Sequence, residues 1–247
     1  MREVREKISE SLTRGASPRG VATQSTLLAL AATLSALPYF HSLLWGPSRV
    51  QPSIPQTGLW QLLAGQAMLL FLVCFLSSMA GLAFAPRQGL PGWGDPLKLR
   101  NELGSLVLLG LGMAVVSYVG FDRRFFPIAP FAYPQTAFQA LSLPFKGALT
   151  EEVILRLCMV TLAVGILKRP WAGVLLIATL APFLSIKYFR FIGIDPLPGG
   201  LLAMQWLVSF GANVLLGVLF VKRGLLFCMV IKFVYSLKYG LILLLAG

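Results

Sequence analysis

The sequence predicts an all-α polytopic membrane protein: a helix bundle of about seven transmembrane helices, with room for an eighth. Three observations carry this. The 247-residue chain is 57% hydrophobic, its mean hydropathy is +0.78, and only 12% of it is charged, about half the charged share of a soluble domain. Its apolar residues gather into stretches of about 20, the length a helix needs to cross a bilayer. The basic residues behind the net charge of +12 stand mostly between those stretches, where they encode topology. Membrane lipids, not nucleic acid, are therefore the expected surroundings of these cations.

The spans are read in order at 24–45, bent near Pro38, then at 59–85, 103–121, 145–167, 171–191, 199–221 and 225–246. The stretch 133–143, which precedes Pro144, has the composition of an additional short or re-entrant helix. Connections carry the punctuation of turns. Residues 46–58 hold three prolines, 86–101 contain Pro91-Gly92-Trp93-Gly94-Asp95-Pro96, and 122–134 are rich in aromatic residues and proline. No internal repeat is visible. The chain divides into a polar cytoplasmic tail (1–22), N-terminal transmembrane helices with their loops (23–135), and a C-terminal group of helices (136–247). Residues 1–20 are polar and lack an apolar core, so no cleavable signal peptide is expected there.

In a seven-helix arrangement the tail cations, then Arg87, Lys98 and Arg100, then Lys168-Arg169 and Lys222-Arg223 all fall on one side. Arg49, Arg123, Arg124 and Arg190 fall on the other. Positive charge accumulates on the cytoplasmic side, so the N-terminus is placed in the cytoplasm; the expected location is a bacterial inner membrane. Cys74, Cys158 and Cys228 lie in apolar stretches without metal-binding spacing and read as small buried residues. No metal or cofactor is expected.

The chemistry concentrates in Thr150-Glu151-Glu152-Val153-Ile154-Leu155-Arg156, a charged run inside an apolar segment. Each ionisable group at membrane depth costs roughly 2.5–3.5 kcal/mol to insert. Such groups persist when they pair, bind or react. Glu152 and Arg156 are four apart and share a helix face, whereas Glu151 is turned about 100° away. One carboxylate can pair within the helix while the other points elsewhere. Two further cations lie in apolar surroundings: Lys187, after Phe183, and Lys232, followed by Ser236. Lys187 either snorkels from a helix end or belongs to the site. Lys232 stands about eight residues into its helix and calls for an interior partner. Ser236 suits helix packing, and His41, the single histidine, lies outside this region.

Taken together, Glu151-Glu152-x-x-x-Arg156, Phe183-x-x-x-Lys187 and Lys232-x-x-x-Ser236 resemble the three successive motifs of the CPBP family, the CAAX prenyl proteases and bacteriocin-processing or immunity proteins. These are glutamate-type intramembrane endopeptidases. The family pattern is EExxxR, then FxxxH, then HxxxN or HxxxD, on successive membrane helices. The first motif matches in full; lysine replaces histidine in the other two, and serine replaces the final Asn or Asp. The resemblance covers about 137–245 and implies the family's fold, a peptidase lineage, and a site built from Glu151, Glu152, Arg156, Lys187, Lys232 and Ser236, with Phe183 on the substrate side. Transmembrane or lipidated peptides are the implied partners.

The two lysines change what that site can do. Imidazole near neutral pH offers an acceptor nitrogen, whereas an ammonium has three donors and no acceptor. Three readings follow. In the first, Glu151 and Glu152 form a neutralised network with the lysines and the protein binds without cutting. In the second, a glutamate remains the base for water and the lysines stabilise the oxyanion; a Lys232–Ser236 dyad is a variant of this. In the third, the intramembrane charges serve transport.

Overall fold

The apolar stretches fold as helices, and the structure, a computed structural model, describes residues 17–45, 56–191 and 198–246. Helix α1 spans Pro18–Trp45 and α2 spans Gln56–Phe84. Residues 18–22, assigned above to the polar tail, are thus already helical. Helix α3 covers Pro96–Ser117 and runs on through a π-helical turn, Tyr118–Asp122, to Phe125. Helix α4 covers Ala137–Lys146, continues through π-helical Gly147–Glu151 and Val153–Val160, and becomes α5 at Thr161–Leu167. Helices α6 (Pro170–Phe191) and α7 (Gly199–Arg223) follow. The last apolar stretch is two helices, α8 (Leu225–Ser236) and α9 (Lys238–Ala246). Among the described residues there is no strand.

Two expectations change. The stretch 133–143 is not a separate membrane segment: most of it forms α4, which passes directly into the charged run with Pro144 inside it. The start of α4 is set locally by a capping box, in which the Thr136 hydroxyl accepts from Gln139 N–H and the Gln139 amide oxygen accepts from Thr136 N–H, satisfying two of the orphan donors of a first turn. The 225–246 span holds as one apolar crossing to Leu244 but contains a helix boundary at Leu237.

Five helical stretches are long and apolar enough to cross a membrane: Pro18–His41, Gly58–Phe84, Pro96–Phe125, Gly199–Arg223 and Leu225–Leu244. The α4–α5 rod carries the charged run, and the apolar part of α6 is the shorter Pro170–Leu184. Large apolar side chains face outward around the bundle, Met68 and Leu108 at about 70% exposure and Ile166 at 78%. A belt of this kind suits a hydrocarbon environment, since soluble surfaces rarely carry extended apolar patches.

Inside, Val153, Leu157 and Val160 of the π-helical stretch pack with Leu82, Phe220 and Ile231 of α2, α7 and α8 in one core. Gly81 of α2 permits this: a Cβ there would sit 2.3 Å from the Leu157 carbonyl oxygen. The ends of the helices are tied at one pole. The first N–H groups of α8, at Leu225 and Leu226, donate to the carbonyls of Gly92 and Trp93, which supplies partners for donors a helix start leaves unpaired. Trp93 Nε1 donates to Gln24 Oε1 at 3.0 Å. The turn between α7 and α8 uses Gly224 at φ +99°, pressed against Gly94 at φ +87°, a conformation that a Cβ makes costly. Helices α3 and α8 leave this pole side by side in the same direction, linked by Ser117–Tyr235 further along, while Arg223 at the end of α7 pairs with Glu102 of α3 near the pole.

Candidate functional site: two buried charge pairs

The local backbone sets the site. A π-helical turn closes i→i+5 hydrogen bonds in place of i→i+4, and such turns are rare and frequently found at functional sites. The turn Gly147–Glu151 ends on one carboxylate, and Arg156 lies inside the next π-helical stretch. Pro144, just upstream, has no N–H to donate to the preceding turn. Gly147 faces α8 so closely that a Cβ would meet Ser236 Oγ at 3.2 Å and Lys232 Cε at 3.3 Å.

The charged groups then sort into two kinds of contact. Glu152 is fully buried, and its Oε2 lies 3.3 Å from Arg156 Nε. This is an ion pair by distance without hydrogen-bond alignment: both Glu152 oxygens, and Nε and Nη1 of Arg156, lack a directed partner. Arg156 spends its Nη2 on Asn213 Oδ1 of α7 at 2.6 Å, and Asn213 is held in turn by the Ser209 carbonyl. Glu151, turned away as its spacing predicts, accepts from Lys232 Nζ of α8 at 2.7 Å. Here 41% of the Glu151 side chain and 19% of the Lys232 side chain remain accessible. Lys146 adds a third cation close enough to act on Glu151, with its ammonium 4.4 Å over the Tyr39 ring.

The other predicted residues are placed as follows. Ser236 is buried against Gly147, and Lys232 is engaged by Glu151. Phe183 stands on α6 with half its surface exposed. Lys187 lies on the backbone of α6, and its side chain lies outside the described residues. His41 sets its ring 6.3 Å from that of Trp60, between α1 and α2.

A second centre escaped the sequence reading. Asp122, last residue of the π-helical turn that ends α3, is buried and ion-paired with Lys238 of α9 at 2.5 Å. Its Oδ2 also accepts from Ser117 Oγ at 3.0 Å, and its Oδ1 accepts from Tyr133 at 2.9 Å. Lys238 donates further to Ser117 Oγ and to the Tyr235 hydroxyl. The Tyr133 phenol, outside the membrane-spanning helices, is pushed well above its ordinary range by burial first and by the Asp122 charge second, so it remains a donor. Tyr235 stands between the two centres, its ring 5.2 Å from Lys232 Nζ and 4.4 Å from Lys238 Nζ.

In chemical terms, the accessible carboxylate is occupied by a donor-only cation, and the carboxylate with free lone pairs is sealed in the core. Fold and site define a class: an all-helical bundle, with helices long and apolar enough to cross a membrane, that holds two separate acid–lysine pairs, one buried and one partly accessible. Comparison with protein-family models, with curated proteins and with solved structures finds no match to this chain.

Proposed function

We propose that this protein is a CPBP-type integral membrane protein that has exchanged the hydrolytic glutamate–histidine centre for a neutralised Glu–Lys core, and that it engages a transmembrane or lipidated peptide without cutting it. The observation that carries this reading is the 2.7 Å contact between Lys232 Nζ and Glu151 Oε2. In the family's route the corresponding position offers an acceptor; an ammonium held on the carboxylate withdraws both from water activation. Glu151 keeps enough exposed surface to meet a polar group of an incoming peptide. The tight pairing of Lys232 and Lys238 argues against a path in which these groups carry protons.

In this reading the chain crosses a bacterial inner membrane seven times, with the α4–α5 rod and α6 as the two crossings beyond the five most apolar ones. The pole at which Gly92 and Trp93 meet Leu225 and Leu226 faces the cytoplasm. It gathers Arg87, Lys98, Lys222 and Arg223, as the positive-inside rule requires.

The test is photo-crosslinking of purified protein, reconstituted in liposomes, to prenylated and unprenylated transmembrane peptides, with products followed by mass spectrometry. Crosslinked, intact peptide is expected. Cleaved peptide, with cleavage abolished by Glu151→Gln, would overturn the reading in favour of lysine-assisted proteolysis.

A further inference from the structure

Residues of α3 and α7 that belong to neither charge pair line a groove of about 540 Å³. Its floor is apolar: Leu109 from α3, and Leu215, Val218 and Leu219 from α7. Positions 215, 218, 219 and 222 form one stripe on a helix, so the floor runs about 10 Å from Leu215 to Lys222. The groove ends in charge. Lys222 and Arg223 close it at the basic pole, and Glu102 of α3 reaches across to Arg223 Nη2 at 2.9 Å.

We propose that this groove binds a phospholipid with an anionic headgroup, its phosphate on Lys222 and Arg223 and an acyl chain along Leu215, Val218 and Leu219. Charge complementarity selects this occupant. Glu102 takes one edge of the Arg223 guanidinium, which has five donors, and Lys222 forms no ion pair among the described residues. The mouth therefore carries an uncompensated positive charge directly above an apolar slot. Dibasic turns that serve only topology need nothing more than a position near the interface. Here Glu102 instead pins Arg223 over the groove, and the Arg223 carbonyl packs against Gly94, where a Cβ would clash. Basic pockets between membrane helices on the cytoplasmic side are where anionic headgroups are held. The inference is independent of the peptide-binding reading, since none of these residues belongs to either charge centre.

The experiment is native mass spectrometry of the full chain in mild detergent, with phosphatidylglycerol or phosphatidylcholine added, repeated with inorganic phosphate as competitor. Phosphatidylglycerol is expected to be retained about fivefold better, the effect of the one interfacial cation that Glu102 leaves uncompensated. Lys222→Gln should weaken retention about fivefold, and Glu102→Gln, which frees the guanidinium, should strengthen it. Leu219→Trp, which fills the slot and leaves the charges, should abolish it. Lys222 is exposed, so Lys222→Gln is expected to melt with the parent protein. Equal retention of the two lipids, or no response to Lys222→Gln, would overturn the proposal. Displacement of the lipid by millimolar phosphate would do so too, by showing a site for a soluble anion.

Discussion

Breaking the Asp122–Lys238 pair from one side should be among the most damaging polar substitutions in this protein, and removing both partners should restore most of the loss. The two side chains keep only 5% and 3% of their surface. Asp122→Asn retains an acceptor for Tyr133 but leaves the Lys238 ammonium with only two neutral partners, Ser117 and Tyr235. Lys238→Met strands the carboxylate, though Ser117 and Tyr133 still donate to it. A buried charge left without its partner costs about 3–5 kcal/mol. Asp122→Asn belongs at the upper end of that range and Lys238→Met at the lower, because the stranded carboxylate retains two donors. In equilibrium terms this is roughly two to three and a half powers of ten in the folded-to-unfolded ratio. Replacement of a whole buried pair by groups of similar volume is often close to neutral, so Asp122→Asn with Lys238→Met should fall within about 1 kcal/mol of the parent protein. The assay is reversible unfolding in mixed micelles followed by circular dichroism, arranged as a double-mutant cycle. Two results would refute the reasoning: either single variant within about 1 kcal/mol of the parent, or a double variant no more stable than the worse single one.

Three further outcomes follow from the same geometry. Asn213→Leu removes the acceptor of Arg156 Nη2 and should cost about 1.5–3 kcal/mol, the range for a hydrogen bond to a charged group; a loss below about 0.5 kcal/mol in the same unfolding assay would show that Arg156 is satisfied otherwise. Gly81→Val places side-chain atoms on the Leu157 backbone, which a Cβ alone would approach to 2.3 Å, and should lower folded yield on gel filtration where Gly65→Ala, in open space on the same helix, does not. Tyr133 keeps its proton more tightly folded than unfolded. Its contribution is therefore complete below the unfolded phenol value of about 10 and is lost as pH rises above it. Tyr133→Phe should flatten that alkaline loss in a pH series of melting temperatures and lower stability near neutrality by about 1.5–3 kcal/mol through the missing bond to the Asp122 carboxylate.

The legible part of this molecule is what hydropathy and short-range spacing encode. Apolar stretches near the length of a bilayer crossing located the helices, and the interval from Glu152 to Arg156 foretold their shared face. Glu151, one residue earlier, was correctly turned away, and Lys232 was singled out because its place about eight residues into an apolar helix makes snorkelling strained. The unread part depends on contacts across the chain. Asp122 and Lys238 are 116 positions apart, and Asp122 begins the run Asp122-Arg123-Arg124, whose polarity and following prolines mimic a loop. Asn213 has a signal, an amide inside an otherwise apolar helix with Ser209 one turn earlier, but nothing local points it at Arg156. Pro144 and the helix boundary at Leu237 were misjudged for opposite reasons. Pro144, near the C-terminal end of α4, is absorbed by the widened turn after it, whereas Leu237 has no helix-breaking character.

A π-helical turn serves each of the two centres. One ends at Asp122 and another at Glu151, and each delivers its carboxylate to a lysine of the C-terminal helices, Lys238 and Lys232. A regular α-helix would send each following residue about 100° round the axis for every position gained or lost, so restoring α-helical pitch by deleting one residue would turn the carboxylate from its partner. Tyr235 stands between the two lysines, its ring 5.2 Å from Lys232 Nζ and 4.4 Å from Lys238 Nζ. Each widened turn therefore serves its own lysine, and the two pairs form independently. Deleting Ala148 from the Gly147–Glu151 turn should release Lys232 and leave the Asp122–Lys238 pair intact, which the Asp122→Asn cycle run in that background would report as an unchanged coupling energy.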